Sequence, residues 1–179
     1  VLILGLGSSW YMIERGSPLT TVTIGPWVSW VAAGQPDADP YTRAHAARLG
    51  ILPLSTRVSH TFIARADGEG RNLHSSCDYV IEGREAPDFW WSLTVFDADG
   101  RLIPNALGRS AFTSDTMAID PDGRYRATLS RDAHAGNWLP TGGAGRLALA
   151  FTVLDLGTRA VAQDDDLESL VPTITRKGC

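Results

Sequence analysis

The side chains best suited to acid–base chemistry are aspartates in two glycine-closed turns. Asp97 and Asp99 lie in Asp97-Ala98-Asp99-Gly100, and Asp122 lies in Asp120-Pro121-Asp122-Gly123. Two of these carboxylates converging beside a groove would form the acid–base pair with which hydrolases and lyases cut polymers. The same turns resemble the start of a calcium loop, which also needs later oxygen ligands and a closing bidentate Glu. Neither turn supplies them at the EF-hand spacing, and Asp and Gly are favoured in hairpin turns for backbone reasons alone. His45, His60, His74 and His134 are scattered, with no HExxH or His-x-His pairing. Thr141-Gly142-Gly143-Ala144-Gly145 lacks the Lys-Ser/Thr of a phosphate loop, and neither GxSxG nor S-x-x-K occurs. The expectation is therefore no metal, no cofactor and no recognisable catalytic motif.

Aromatic residues offer a different chemistry. The chain has six tryptophans, of which Trp27, Trp30, Trp90, Trp91 and Trp138 lie beyond the N-terminal segment. Indole rings give flat, weakly polar platforms for sugars and for partner surfaces, and they also build cores. Trp90 and Trp91 are adjacent, so on a strand they point to opposite faces. One of them must then face solvent, a helix or a partner.

These residues need elements to position them. Asp39 reads as a helix N-cap, Pro40 as the first helical residue and Gly50 as the C-terminal cap of a short helix over Tyr41–Leu49. Its mostly polar surface predicts packing on a sheet rather than in a bundle. The rest reads as strands. A short one is expected at Pro26–Val31. Val58, His60, Phe62 and Ala64 alternate with other residues, as do Cys77, Tyr79 and Ile81, and Tyr125, Ala127 and Leu129. Phe89–Phe96 and Arg146–Leu154 carry large or apolar residues on both faces, as strands buried on both sides do. Arg109–Thr113 is a weaker strand. Asp67-Gly68-Glu69-Gly70, Asp97–Gly100 and Asp120–Gly123 supply the turns. The fold class is mostly β, a sandwich or barrel with little helix.

At 179 residues the chain is long enough for one domain with a proper core. Its 44% hydrophobic and 20% charged residues are ordinary for a globular protein, and a net charge of −4 argues against nucleic acid as partner. Asp164-Asp165-Asp166, the densest charge run, reads as a solvated loop. Val1–Ile13 is apolar apart from two serines and is followed by Glu14-Arg15. A bilayer span needs roughly 20 apolar residues. The run therefore reads as the C-terminal part of a truncated membrane-anchor or signal helix, or else as a short buried helix. Cys77 and Cys179 stand in no CxxC spacing. In an extracytoplasmic protein they would form a disulfide pinning the C-terminus to the sheet; the alternative is two free thiols. The chain thus divides into an anchor part over 1–16, a linker and lead-in segment over 17–36, and a β domain, a sandwich or barrel, over 37–179.

Asp39-Pro40-Tyr41-Thr42-Arg43-Ala44, Trp91-Ser92-Leu93-Thr94, Asp97, Gly100, Asn105, Arg109 and Asn137-Trp138-Leu139-Pro140, in that order, resemble the bacterial family DUF1214, whose function is unassigned. The likeness runs from about Gly25 onward. It implies a jelly-roll-like antiparallel β-sandwich, and for small members an N-terminal membrane helix. The sequence departs from the family pattern at Ser110-Ala111, where an aromatic residue is usual, at Ala106, where proline is usual, and at Leu154-Asp155-Leu156, in place of Tyr-Asp-x-Pro.

The leading expectation is a non-catalytic binding domain, tethered to the inner membrane with the domain in the periplasm. Its ligand would be an envelope glycan or a membrane-protein partner. Trp91, Arg109, Asn137, Trp138, Asp39, Tyr41 and Arg43 are the candidates to line its groove, Arg giving directional donors and Trp a stacking face. Each also has a structural role open to it: Asp39 as cap, Arg109 pairing with Asp97, Asn137 bonding turn backbone. The alternatives are a carboxylate-dependent hydrolase or lyase of envelope polymers, and an accessory subunit of a membrane complex.

Overall fold

The periodicities above become two stacked sheets in the computed structural model, which describes residues 2–86, 89–155 and 168–179. In chain order the elements are helix α1 (Leu2–Arg15), β1 (Thr21–Ile24), β2 (Trp27–Trp30), helix α2 (Pro40–Leu49), β3 (Ser59–Ala64), β4 (Asp78–Arg84), β5 (Phe89–Asp97), β6 (Ala111–Thr113), β7 (Arg124–Ser130), β8 (Asn137–Pro140), β9 (Leu147–Asp155) and β10 (Thr173–Gly178). One sheet has the order β1-β2-β3-β9-β5-β6 and the other β10-β4-β7-β8. The β-sandwich expected from the sequence is what forms. One pairing departs from a purely antiparallel scheme, since β8 runs parallel to β7. Parallel neighbours usually require a long crossover. Here the chain doubles back over a short loop, and Asn137 ties the start of β8 to the Arg126 carbonyl (2.9 Å).

The core lies between the sheets, where Phe62, Leu93, Val95 and Phe151 of one meet Tyr79, Ile81, Ala127 and Leu129 of the other. β9 is buried on both faces over Leu147–Phe151, as its apolar run predicts. β5 is not: Trp91, Leu93 and Val95 are buried, but Trp90, Ser92 and Thr94 are only half-buried. The polar Ser92 and Thr94 mark that second face, which the large aromatics in the run concealed.

Three strands, β1, β8 and β10, arise where the sequence predicted none, while β2 falls on the short strand expected at Pro26–Val31. Residues 17–36, read as a linker, hold the β1–β2 hairpin, which joins the larger sheet through Trp27↔Ala64. β10 pairs with β4 and places Ile174 in the core. Cys77 and Cys179 form a disulfide (S–S 2.05 Å) across 102 residues, which ties β10 to the start of β4. Such a bond indicates an oxidising compartment.

Helix α2 follows its sequence signals. Asp39 accepts from the N–H groups of Tyr41 (2.9 Å) and Thr42 (3.1 Å) and from the Thr42 hydroxyl. Partial burial raises the Asp39 pKa, but these bonds outweigh it and hold the carboxyl below its ordinary value. Gly50 closes the helix at φ 65°, in the left-handed region. The helix rests on the sheet through His45, stacked on Trp30 at 4.3 Å, and it also packs on α1. There His45 Nδ1–H donates to the Ile13 carbonyl (2.8 Å), Arg48 pairs with Glu14, and the Arg48 guanidinium covers Trp10. α1 has 14 residues, about 21 Å at 1.5 Å per residue. No helix among the described residues is long and apolar enough to cross a membrane. Asp164-Asp165-Asp166 lies outside the described residues.

Candidate binding site

Strand parity decides which tryptophan faces the core. Trp91 shares its face with Leu93 and Val95 and is 1% exposed. It stacks on Tyr125 of the opposite sheet, with ring centroids 4.6 Å apart, and lies 5.7 Å from Phe151. Its Nε1 and the Tyr125 hydroxyl are buried with no hydrogen-bond partner among the described residues. Burial raises the Tyr125 pKa, so the phenol is neutral at all ordinary pH.

Trp90 takes the other face. Its Nε1–H donates to Asp115 Oδ2 at 2.9 Å, which holds the half-buried ring at the mouth of a concave pocket of about 200 Å³. Phe89, Ala86 and Trp91, whose ring is turned into the core, line the pocket with Trp90, and Glu85, Ser114 and Asp115 are its polar residues. Backbone bonds set this rim: Ser114 N–H to the Trp91 carbonyl (2.9 Å), Glu85 N–H to that of Gly123 (2.8 Å) and Phe89 N–H to that of Ala86 (3.0 Å). The polar lining consists of two carboxylates and a hydroxyl beside an indole face. That set accepts hydrogen bonds from a ligand rich in hydroxyls and stacks on its apolar faces.

The other candidates fall into two separate groups. Asn137 spends its side chain on backbone, donating to the carbonyls of Ala118 (2.8 Å) and Arg126 (2.9 Å) and accepting from Ala118 N–H (2.9 Å). Half-buried Trp138 donates from Nε1 to the Ser130 carbonyl (3.1 Å). Arg109 does not pair with Asp97; its Nη1 reaches the Trp138 carbonyl at 3.4 Å and its guanidinium covers Phe112 at 5.4 Å. These three brace the β6 and β8 edges. Asp39, Tyr41 and Arg43 belong to α2, with Asp39 spent on the cap and Arg43 bonded to the Pro36 carbonyl (3.1 Å). The two groups share no described hydrogen bond.

The turn aspartates are also locally engaged. Asp97 Oδ1 accepts from the N–H groups of Asp99 and Arg101, both at 2.9 Å. Asp99 pairs with Arg101 (3.1 Å) and Asp122 with Arg124 (3.3 Å). Asp97 does line a second cavity, of about 360 Å³, with Ile103, Pro104 and the Gly142–Ala144 loop, and no second carboxylate lines it. Glu85 and Asp115 are two carboxylates that do share one concave site among the described residues. His45, His60, His74 and His134 lie on different elements, and no group of three or more His, Cys, Asp or Glu able to hold a metal occurs among the described residues.

The sequence reading named Trp91 and not Trp90, and it named neither Glu85 nor Asp115. The alternation Trp90-Ser92-Thr94 against Trp91-Leu93-Val95 carried the signal for the first. Nothing local marks the other two, which the fold brings together from the end of β4 and the loop after β6.

A family model described as a protein of unknown function, DUF1214, matches residues 58–156, more than half of the chain. No curated protein matches it. Among solved structures, the chain is similar to the VPA0106 protein of Vibrio parahaemolyticus, with a TM-score of 0.64 at 22% identity, over 97% of this chain and 43% of that one. It is also matched to an uncharacterised protein of Burkholderia cenocepacia, with a TM-score of 0.47 at 18% identity, over 96% of this chain and 47% of that one. The chain thus spans less than half the length of both, and the first likeness shows a shared fold.

Proposed function

The chain belongs to the DUF1214 family of proteins of unknown function, and from that premise we propose that it is an extracytoplasmic, membrane-tethered domain that binds an envelope glycan in the Trp90 pocket. One observation carries the reading: a half-buried indole, fixed by Asp115, faces a concave site whose polar lining accepts hydrogen bonds. Sugar rings present apolar C–H faces to stack and hydroxyls to donate, which matches this lining. The disulfide supports the compartment. The tether is supported by α1, whose residues Ile3, Leu4 and Leu6 are exposed apolar side chains on the first turns.

The test is calorimetric titration of the full chain with a panel of envelope oligosaccharides. Trp90→Ala should weaken binding at least tenfold, the order expected for losing one stacked indole, while Arg43→Ala on α2 leaves it unchanged. Equal affinity for wild type and Trp90→Ala would reject this pocket. Glu85 and Asp115 lining one site keep a second reading open, in which the pocket hydrolyses its ligand. Reducing-end release from the same oligosaccharides, abolished by Glu85→Gln or Asp115→Asn, would mark an enzyme.

A further inference from the structure

Helices α1 and α2 run antiparallel. Ile13 meets His45, and one turn back along α1, Trp10 meets Arg48, one turn forward along α2. The C-terminal end of α2 therefore points the same way as the projecting N-terminal turns of α1. Residues 3–8 of α1 are exposed, unlike Ser9, Met12 and Ile13, which are half-buried. From that same end of α2 emerges a loop carrying Leu49, Ile51, Leu52 and Leu54, all exposed, with Leu52 98% exposed at its tip. Both feet of the loop are fixed. Ile51 N–H bonds the Ala46 carbonyl (3.1 Å), and buried Thr56 bonds the carbonyls of Ala33 and Val31 through its N–H (3.1 Å) and hydroxyl (3.0 Å). A fixed loop displaying four large apolar side chains needs an apolar partner, for a monomer in water gains nothing from it.

We propose that the 49–54 loop is a second membrane-inserting element, seated beside α1 in the interface of an anionic lipid bilayer; this rests on the membrane tether proposed above. Three observations favour lipid over a protein groove. The projecting turns of α1, Ile3-Leu4-Gly5-Leu6-Gly7, are apolar on all sides, whereas a helix that docks on protein presents one stripe. Trp10 and Tyr11 stand at the base of those turns, both exposed, where amphipathic rings sit at the headgroup level. Charge is complementary as well. Residues 1–58 carry Arg15, Arg43, Arg48 and Arg57 against Glu14, Asp37 and Asp39, a net of +1, while the rest of the chain carries −5. Of these arginines Arg48, in the last turn of α2, and Arg57, directly after the loop, are the ones placed to meet lipid phosphates, whereas Arg15 and Arg43 lie at the opposite ends of α1 and α2.

The experiment is flotation of the full chain with vesicles of phosphatidylethanolamine and phosphatidylglycerol, compared with phosphatidylcholine alone. Wild type is expected to float with the anionic vesicles. Leu52→Glu should lower the partition coefficient about tenfold, the scale for withdrawing one buried leucine. In Leu52→Trp, total tryptophan emission should shift further to the blue on vesicle addition than it does in wild type, whose six indoles set the baseline. The exposure of Leu52 makes both variants neutral for folding, and circular dichroism checks this. If Leu4→Glu with Leu6→Glu abolishes flotation but Leu52→Glu and Leu52→Trp behave as wild type, the tether stands and the loop proposal falls. If wild type does not float at all, both fall. A dimer in gel filtration that Leu52→Glu dissociates, without lipid binding, would assign the face to a second copy and also overturn the proposal.

Discussion

Gly83 is opposite Tyr125 in the β4–β7 pairing, and the Tyr125 ring lies directly over it. A Cβ at position 83 would clash with the Tyr125 hydroxyl and its ring carbon Cζ and come within 2.9 Å of Cε1. The ring cannot retreat freely, because it is buried and stacked on Trp91. Gly83→Ala should therefore destabilise the domain by about 1–3 kcal/mol, the usual cost of overpacking a core. Urea denaturation reads the loss, and near-ultraviolet circular dichroism should report a displaced Trp91. An unchanged urea midpoint would mean that the sandwich yields there without cost. The same pair shows what single residues reveal in a sequence. Trp90 and Trp91 had to diverge, and the alternation of Ser92 and Leu93 after them carries which one turns inward, although the large aromatics of the run concealed it. Which side chain of the other sheet receives Trp91 was not legible, because it depends on how β7 lies across β5.

The elements were legible in proportion to how strongly each one patterns itself. α2 announced itself through Asp39, Pro40 and Gly50, all of which act as read. β10 did not. Its sequence, Thr-Ile-Thr-Arg-Lys-Gly, buries only Ile174 on the core side, and its place is set by distant partners. Arg176 pairs with buried Asp67 at 2.9 Å, bonds the Asn72 carbonyl at 2.8 Å and covers Tyr79 at 5.3 Å. Gly68 N–H bonds the Ile174 carbonyl, and Trp27 Nε1–H the Pro172 carbonyl. Burial alone would raise the Asp67 pKa, but bonds from the N–H groups of Arg71 and Glu69 and the charges of Arg176 and Arg71 outweigh it. Its carboxyl is held below the ordinary value. A depressed carboxyl stabilises the fold above its unfolded pKa of about 4, and that contribution is lost as the pH falls through the lower, folded value. Wild type should thus lose stability as the pH falls below about 4, and part of this loss should be missing in Asp67→Asn. Urea midpoints at pH 6 and pH 3 for both proteins check it; parallel slopes would remove Asp67 from the acid response.

For the whole molecule, short strands with Asp-Gly turns sufficed to read a mostly β fold, a sandwich or barrel, and the resemblance to DUF1214 chose the sandwich. The order of strands was not legible, because pairings such as Leu93↔Phe151 and Ile81↔Ala127 join residues far apart in sequence. Nor was the candidate site, whose carboxylates meet only when the end of β4 and the loop after β6 are folded together. The disulfide acts at this scale. It closes 102 residues between Cys77 and Cys179, and so limits the unfolded chain more than any contact within the sandwich does. In the chain-entropy view a loop of this length is worth about 4–5 kcal/mol, and native bridges commonly contribute about 2–5 kcal/mol. In the folded state β10 keeps its other attachments, Ile174 in the core and Arg176 on Asp67, without the bond. Cys77→Ser with Cys179→Ser should accordingly leave the near-ultraviolet spectrum unchanged at 25 °C while lowering unfolding free energy within that range. Reduction of wild type should reproduce the double variant's urea midpoint. If the double variant instead lost its near-ultraviolet signal in the absence of denaturant, the bond would be holding β10 in the native sheet, and the ion pair at Asp67 would be too weak to seat the strand alone.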